Sequence, residues 1–340
     1  MSSPIYASML AFLATTGNPA LVNVPNRRLP AEWESQDAIL LVWPHECTDW
    51  SPMLAEVRRT VQAIIEAIER FEPVILIRSD KWDLPTNDTW ARDFGPITIE
   101  ENGIPVLLDF TFTGWGGKFA AEKDNAVNRK LHAAGAFGAT ALRAVDLILE
   151  GGSIESDGQG TLLTTTECLL NPNRNPHLSK QQIEERLQSE LGITTILWLQ
   201  HGHLVGDDTD AHIDTLARLC PGKTIVYVAC DDPADEHFAS LKAMEQELEQ
   251  FSGYRLLPLP WPGAKYDSEG HRLPATYANY LVINGAVLVP TYNDPADSLA
   301  LEVIGKAFID REIIGIDCST LILQHGSLHC ITMQIPEGVI

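Results

Sequence analysis

Cys330 and His212 are the two side chains whose types and separation first suggest chemistry. Cys330 lies in the apolar stretch 328–334, which we predict to be a strand, and His212 forms a His-x-Asp pair with Asp214. The thiolate is the attacking form of cysteine, and an imidazole close to it can move the protons that the attack requires. A third fragment, residues 90–96 (WARDFGP), places a carboxylate beside an aromatic ring at a predicted strand-to-turn junction. Together these residue types are typical of an enzyme with a cysteine nucleophile.

Residues 201–214 (HGHLVGDDTDAHID) support a rival interpretation. Their dense imidazoles and carboxylates can bind a divalent metal, as in a metal-dependent hydrolase. This hypothesis leaves the other fragments unexplained. A chelator should inactivate such a hydrolase, whereas iodoacetamide should inactivate a cysteine enzyme. In a third interpretation the chain is a non-catalytic binding propeller, and alkylation of its thiols changes nothing measurable.

Composition restricts the partners and the compartment. The chain has 340 residues, is 45% hydrophobic and carries a formal net charge of −22. This charge argues against nucleic acid and anionic membranes as partners, because both would repel it, and it is compatible with a small cationic substrate. Six cysteines without a C-x-x-C pair are typical of reduced thiols, and no apolar run reaches the ~20 residues that span a bilayer. We therefore expect a cytoplasmic protein, with a homodimer as a candidate assembly.

Helical and β-like patterns alternate along the chain. Apolar spacing predicts helices that begin near residues 51, 121, 179, 233 and 295, and Ser179 with Gln182 forms a capping box. In two units an Asp-Pro pair, at residues 232–233 and 294–295, is predicted to cap the helix and begin its first turn. The predicted strands are residues 38–43, 74–78, 105–110, 161–165, 194–199, 224–229, 287–290 and 328–334.

This loose repeat, with strands and one helix in each unit, predicts an α/β fold of blades arranged around a centre. A doubly wound sheet stays an alternative, because no motif runs through all five units. Against that alternative, the sequence contains no G-x-G-x-x-G or Walker-type loop. No linker rich in Pro, Gly or Ser divides the chain. We therefore predict one domain over residues 27–340, preceded by an N-terminal extension, residues 1–26, outside the core.

Five fragments occur in the order seen in a known family. They are residues 90–96 (WARDFGP), 150–153 (EGGS), 157–161 (DGQGT), 212–214 (HID) and 328–332 (LHCIT). Over roughly residues 27–337 the chain resembles the agmatine deiminase and bacterial-type peptidylarginine deiminase family of guanidine-modifying enzymes. The resemblance implies a five-bladed α/β propeller of the pentein type, which agrees with the five predicted helices.

The resemblance implies roles for four residues. Cys330 matches the nucleophile of the family and His212 its general acid and base. Asp93 and Asp214 match the two carboxylates that hold the guanidinium. Physical chemistry agrees, because a guanidinium stays charged and its planar N–H groups fit carboxylates in a bidentate way. Two carboxylates can therefore orient its central carbon toward the sulfur.

Three further residues are substrate-binding candidates. Trp90 and Glu150 match motif positions at the mouth or floor of the site, and Trp115 fits either a pocket wall or core packing. Some positions depart from the family pattern. Residues 324–327 (QHGS) replace a glycine-rich run, and Ala211 stands where glycine is common. Glu155 likewise replaces a different side chain. We expect these departures to reshape the pocket without removing a catalytic group.

The implied reaction has two steps. Cys330 adds to the guanidinium carbon while His212 protonates the departing ammonia, and water then releases a ureido product from the amidino-cysteine. No metal and no organic cofactor is expected. The predicted substrate is agmatine, converted to N-carbamoylputrescine and ammonia in putrescine and polyamine biosynthesis. Arginine and peptidylarginine stay open as alternatives. Free arginine would need a cationic partner for its carboxylate. Arg92 is adjacent to Asp93 but should point to the opposite face of an extended segment, whereas Arg174 and Arg218 lie near other motifs and keep arginine open.

Overall fold

The structure is a computed structural model that describes residues 26–340. The predicted N-terminal extension, apart from Asn26, lies outside the described residues. Among the described residues, no helix combines the length and the apolar character that crossing a membrane requires.

The described elements alternate between short strands and helices. The strands are β1 (Arg27–Arg28), β2 (Gln36–Val42), β3 (Val74–Ile77), β4 (Ile97–Glu101), β5 (Ile104–Thr111), β6 (Ala141–Ile148), β7 (Ile154–Ser156), β8 (Thr161–Thr165), β9 (Thr195–Leu199), β10 (Ala217–Cys220), β11 (Thr224–Val228), β12 (Arg255–Leu259), β13 (Lys265–Tyr266), β14 (Arg272–Leu273), β15 (Leu281–Ile283), β16 (Ala286–Thr291), β17 (Glu312–Asp317) and β18 (Thr332–Pro336). The α-helices are α1 (Leu54–Ile68), α2 (Ala91–Phe94), α3 (Gly114–Gly117), α4 (Val127–Ala133), α5 (Thr166–Leu169), α6 (Lys180–Leu191), α7 (Phe238–Leu248) and α8 (Asp297–Ala307). Short 3-10 helices lie at Ser51–Met53, Asp124–Ala126, Gly151–Ser153, Ile213–Thr215 and Leu321–Gln324.

The chain is mixed α/β, and five of the sheets formed by the described strands share one arrangement. In each, a central strand pairs antiparallel on one side and parallel on the other, in the orders β18-β2-β3, β4-β5-β6, β7-β8-β9, β10-β11-β12 and β15-β16-β17. A parallel pair needs a crossover connection, and α1, α4, α6, α7 and α8 lie in these five crossovers. The described strands therefore do not form a doubly wound sheet. They also form no closed sheet.

Helix α1 shows why these sequences fold as crossovers. Its residues Val57, Val61, Ile64 and Ile68 recur at helical spacing and are buried, which packs one face of the helix on the core. Helix α6 begins at the predicted capping box, in which Ser179 and Gln182 exchange side-chain-to-backbone hydrogen bonds. The central strands supply the other side of the core, as in β2, where residues 38–42 are buried.

Several predicted elements begin elsewhere. The helix expected near residue 121 is α4, which begins at Val127 after a 3-10 turn. The Asp-Pro pairs do not cap helices, because the side chains of Asp232 and Asp294 accept hydrogen bonds from backbone N–H groups two residues on. These turns precede helices that begin only at Phe238 and Asp297.

The two segments that carry Asp93 and Cys330 also differ from the prediction. The expected strand-to-turn junction at residues 90–96 is the helical turn α2, which is followed by strand β4. The expected strand at residues 328–334 begins only at Thr332, and Cys330 lies in the turn before it. A turn lets backbone N–H groups bind partners outside a sheet ladder, and those of His329 and Cys330 bind the side chain of Asn279.

Candidate active site

A cavity of ≈ 230 Å³ opens at the meeting point of several of these turns. Its described lining residues are Asp49, Asp88, Trp90, Asp93, Trp115, Phe119, Asp208, Thr209, Thr215, Leu323, Gln324, His325, Gly326 and Cys330. Aromatic rings and carboxylates dominate this lining, and it contains no Lys or Arg among the described residues. Of the sequence-predicted residues, Cys330, Asp93, Trp90 and Trp115 line the cavity directly.

Asn279 holds the turn that presents Cys330. Its Oδ1 atom accepts hydrogen bonds from the backbone N–H of His329 at 3.0 Å and of Cys330 at 3.3 Å. Its Nδ2 atom lies 3.1 Å from the sulfur of Cys330. These contacts replace the ladder bonds of a strand and fix the thiol at the cavity wall. Burial, with the charges of Asp214 and Asp93 adding to it, raises the pKa of the Cys330 thiol well above its usual value. The unliganded site therefore holds a neutral thiol.

Asp93 lies on α2 and is fixed by two donors. The indole N–H of Trp115 donates to Oδ2 at 2.9 Å, and the backbone N–H of Gly152 donates to Oδ1 at 3.0 Å. Burial and repulsion from Asp214 nevertheless raise the pKa of Asp93 well above its usual value. The carboxyl group is thus oriented for a cation but holds its proton until one arrives.

His212 follows a loop in an uncommon backbone conformation. Asp210 and Ala211 have φ values of 64° and 61°, and the Oδ2 atom of Asp207 accepts a hydrogen bond from the Ala211 N–H at 2.7 Å. The ring of His212 is fully buried, and its Nδ1 atom lies 3.5 Å from Oδ1 of Asp93. Burial lowers the pKa of His212 to about 3, so the imidazole is neutral and able to accept a proton.

Asp214 completes the group at the 3-10 turn Ile213–Thr215. Its Oδ2 atom lies 3.7 Å from the sulfur of Cys330 and 2.7 Å from Nδ1 of His329. Burial alone would raise the pKa of Asp214, but the hydrogen bond and charge of His329 lower it below the usual value. Among the described groups, Oδ1 has no hydrogen-bond partner. An ionised carboxylate with an unused oxygen beside a thiol suits a cationic ligand.

Gly152 makes this closeness sterically feasible. A Cβ atom at this position would lie 2.6 Å from Nδ1 of His212, 2.8 Å from Oδ1 of Asp93 and 3.1 Å from Oδ2 of Asp214. Any larger residue would push the two carboxylates and the imidazole apart. The structure therefore brings Cys330, His212, Asp93 and Asp214 together around one small space.

The comparisons with known proteins agree with this geometry. The family model for Porphyromonas-type peptidyl-arginine deiminase matches residues 28–336. The chain belongs to this family. A solved structure from Porphyromonas gingivalis, named "Putative Arginine Deiminase", is 50% identical and has a TM-score of 0.89, with 92% of this chain and 99% of that chain covered. An agmatine deiminase from C. jejuni with substrate bound is 42% identical with a TM-score of 0.89, covering 92% and 97% of the two chains. A Latilactobacillus sakei protein named "Putative agmatine deiminase" is 34% identical over 92% of this chain and 96% of its own.

Glu150, predicted from the family motif, is buried away from the lining of the cavity. Its carboxylate accepts hydrogen bonds from Nε of Arg174 at 3.1 and 2.9 Å, and Arg174 in turn pairs with Asp210 at 2.7 Å. Glu150 therefore binds Arg174, and Arg174 binds Asp210 in the loop that precedes His212. Its binding of substrate stays a prediction.

The imidazoles and carboxylates of residues 201–214, the candidate metal site of the rival interpretation, do not form a metal-binding group among the described residues. His201 pairs with Glu247, and Asp210 is held by Arg174 and Lys118. Among the described residues, the group with metal-ligand spacing is Glu150, Cys168 and His212, whose ligand atoms lie within 4.8 Å of one another. Only His212 of that group belongs to the predicted cluster, and Arg174 already occupies the Glu150 carboxylate.

Sequence reasoning missed Asn279 and Gly152, and it gave His329 no role. Asn279 is the one side-chain amide in the buried stretch 275–283. A buried amide needs hydrogen-bond partners, and this requirement was the one signal in the sequence that could have identified it. The QHGS departure was identified correctly as a pocket feature, since Gln324, His325 and Gly326 line the cavity.

Proposed function

We propose that this chain hydrolytically deiminates agmatine, giving N-carbamoylputrescine and ammonia through a covalent amidino-cysteine. One observation carries the proposal: the buried group Cys330, His212, Asp93 and Asp214 lies at a cavity whose described lining has several carboxylates and no Lys or Arg. A guanidinium is the group whose charge and planar donors complement two such carboxylates.

Binding of the guanidinium is the first step. Asp93 and Asp214 accept N–H bonds from the cation, which relieves the repulsion between the two carboxylates and draws the proton from Asp93. The same cation lowers the pKa of the Cys330 thiol, because its charge offsets those of Asp93 and Asp214, two of the causes that raise that pKa. Substrate binding therefore promotes formation of the Cys330 thiolate. The guanidinium carbon of the bound substrate is held near the sulfur.

Bond formation follows with a balanced transfer of one proton. The thiol proton passes to the neutral His212 as sulfur adds to the guanidinium carbon, and His212 then gives this proton to the departing amino group, which leaves as ammonia. The product on the protein is a cationic amidino-thioether on Cys330. Asp93 and Asp214 remain paired with its charge.

Water completes the reaction. His212, again neutral, takes a proton from water as the oxygen adds to the amidino carbon, and the carbon–sulfur bond then breaks. The proton returns from His212 to the Cys330 sulfur, the second proton of the water passes to Asp93, which regains the proton it lost on binding, and the neutral ureido product leaves. The low pKa of His212, set by burial, keeps the ring neutral at the start of each step. The charge of Asp214 acts in the opposite direction and favours the protonated ring, which assists each transfer to His212.

The carboxylates that line the cavity support agmatine rather than arginine. Besides Asp93, they are those of Asp49, Asp88 and Asp208. Burial and the neighbouring Asp49 raise the pKa of Asp88 to about 6. A second cation at the far end of the substrate is favourable there, whereas the α-carboxylate of free arginine would be repelled.

The three arginines considered for that carboxylate are occupied elsewhere. Arg174 binds Glu150 at 2.9 Å, Arg218 binds Glu155 at 2.8 Å, and Arg92 hydrogen-bonds to Gln334. None of the three lines the described cavity. The substrate that fits is therefore a guanidine with a cationic tail.

We also propose that the five units form blades around this cavity, as one domain over residues 27–340. The pairing of β18, from the end of the chain, with β2, from near its beginning, supports such a ring, with Thr332 opposite Leu41. The homodimer and the cytoplasmic location stay predictions.

Side-by-side kinetics test the substrate. We expect ammonia release from agmatine to exceed release from arginine and from a blocked arginine peptide by at least about tenfold in kcat/KM, equivalent to about 1.4 kcal/mol. Asp88→Asn keeps the acceptor for the Thr89 N–H, which lies 2.8 Å from Asp88 Oδ1, but removes the charge. This variant should lower the preference for agmatine over arginine. Faster turnover of arginine or the peptide by wild-type protein would overturn the agmatine assignment and leave the deimination mechanism standing.

A further inference from the structure

His329 links the cavity to a buried cluster of charges. Its Nδ1 atom lies 2.7 Å from Oδ2 of Asp214, and its Nε2 atom lies 2.7 Å from Oε2 of Glu32. The same Oδ2 atom of Asp214 faces the sulfur of Cys330 at 3.7 Å. All of these side chains are buried, so no solvent competes for the contacts.

Glu32 is itself fixed by other groups. Its Oε1 atom accepts a hydrogen bond from the backbone N–H of Val282 at 2.7 Å, and its Oε2 atom pairs with Arg218 at 2.9 Å. Arg218 also binds Glu155 at 2.8 Å. Glu32 therefore offers the imidazole a partner that cannot rotate away.

The contacts of the two ring nitrogens of His329 differ. Nε2 lies 2.7 Å from Oε2 of Glu32 and 3.2 Å from Nη2 of Arg218, whereas Nδ1 faces the Asp214 carboxylate. Burial and the charges of Arg218 and Arg92 lower the pKa of His329 below its usual value. A proton on Nδ1 is donated to Asp214 in the neutral ring as well as in the imidazolium, so this hydrogen bond does not require a charged ring.

We propose that His329 is a positioning residue, which donates through Nδ1 to hold Asp214 against the guanidinium while Glu32 anchors its other nitrogen. The inference rests on the proposed function, because it acts through the carboxylate that clamps the substrate. Without the Nδ1 donor, Asp214 would be free to rotate, and its carboxylate would lose the hydrogen bond at 2.7 Å. Substrate binding should then weaken together with the chemical step.

Two variants of His329 separate positioning from a merely structural role. In Asn, the amide nitrogen occupies the place of Nδ1 in the ring, so His329→Asn keeps a donor for Asp214 and loses the contact with Glu32. In Gln, the longer side chain carries its amide to the place of Nε2, so His329→Gln keeps the contact with Glu32 and loses the donor to Asp214. Both variants remove the imidazole ring, so a role in packing alone would change agmatine binding equally in both.

Calorimetric titration with agmatine in a Cys330→Ser background measures binding without turnover. We expect His329→Asn to bind agmatine within about threefold of the background and His329→Gln to bind at least about tenfold more weakly, the loss typical of a charge-assisted hydrogen bond. In the wild-type background, kcat/KM should follow the same order. As controls, His132→Asn and His132→Gln change a half-buried histidine that bonds the Thr140 carbonyl and does not line the cavity, and both should match the background.

Equal binding by the Asn and Gln variants, or tighter binding by Gln, would overturn the inference while leaving agmatine deimination intact. Wild-type protein that releases no ammonia from agmatine would instead overturn the proposed function. If circular dichroism finds either variant unfolded, Glu32→Gln replaces it. That variant removes the charge that anchors His329, and it should weaken agmatine binding by at least about threefold, so unchanged binding would overturn the inference.

Discussion

The Nδ1 atom of His212 lies 3.5 Å from Oδ1 of Asp93, and both groups are buried. Burial lowers the pKa of His212 to about 3, and burial with repulsion from Asp214 raises the pKa of Asp93 well above its usual value. A buried base and a buried acid in contact would ordinarily form an ion pair. Here burial favours the neutral form of both groups, and the charge of Asp214 adds to this effect at Asp93.

Agmatine binding should therefore release a proton from Asp93. Because the pKa of Asp93 is raised in the unliganded protein and a bound guanidinium favours its ionised form, affinity should fall as the pH is lowered through that raised pKa. Calorimetry of the Cys330→Ser protein in two buffers with different ionisation enthalpies measures the release. Asp93→Asn in the same background should abolish it. A binding enthalpy independent of the buffer would mean that Asp93 is already ionised.

The two carboxylates should be indispensable for catalysis. Asp93→Asn and Asp214→Asn keep the side-chain size but remove the charge that pairs with the guanidinium, and losing one buried charged contact commonly costs about 2–5 kcal/mol. Steady-state kinetics should find a matching loss of kcat/KM in each. Asp37→Asn, whose carboxylate accepts hydrogen bonds from Val339 and Ile340 away from the cavity lining, should stay within about threefold of wild type. Wild-type kinetics in either clamp variant would assign that carboxylate a structural role.

Gly152→Ala should lower kcat strongly without unfolding the protein. The new methyl group would lie within 2.6–3.1 Å of His212, Asp93 and Asp214, so these side chains must move, and a displacement of about 1 Å can cost about a hundredfold in rate. Gly305→Ala is the matched control, since its nearest contact is Cγ1 of Ile313 at 3.5 Å and it lies in helix α8. That control should keep full activity and gain about 0.5–1 kcal/mol of stability. Full activity of Gly152→Ala would contradict the packing described for the site.

The repeat of strands and helices could be predicted because periodic burial is a local property. Five helices were expected, and each lies in a crossover between parallel strands. Helix α6 began where the capping box predicted, since Ser179 and Gln182 are neighbours in the chain. The prediction that the Asp-Pro pairs cap helices was wrong, because the same residues form an Asx turn as readily as a helix N-terminus.

The details of the site depended on contacts between distant segments. The stretch 328–331 is apolar enough for a strand, but hydrogen bonds from His329 and Cys330 to Asn279 hold it as a turn. No local pattern reveals that partner. The same is true of Glu150, whose motif position is plain in the sequence while its pairing with Arg174 depends on the folded loop.

Identification of the covalent intermediate tests the central claim most directly. Wild-type protein quenched during turnover of agmatine should carry an added mass equal to agmatine minus ammonia, mapped by peptide analysis to Cys330. Cys330→Ala should carry no adduct and should release no ammonia, while its circular dichroism matches wild type, because the substitution removes only one buried atom. An adduct on Cys318 or Cys230, or turnover that persists in Cys330→Ala, would contradict the account.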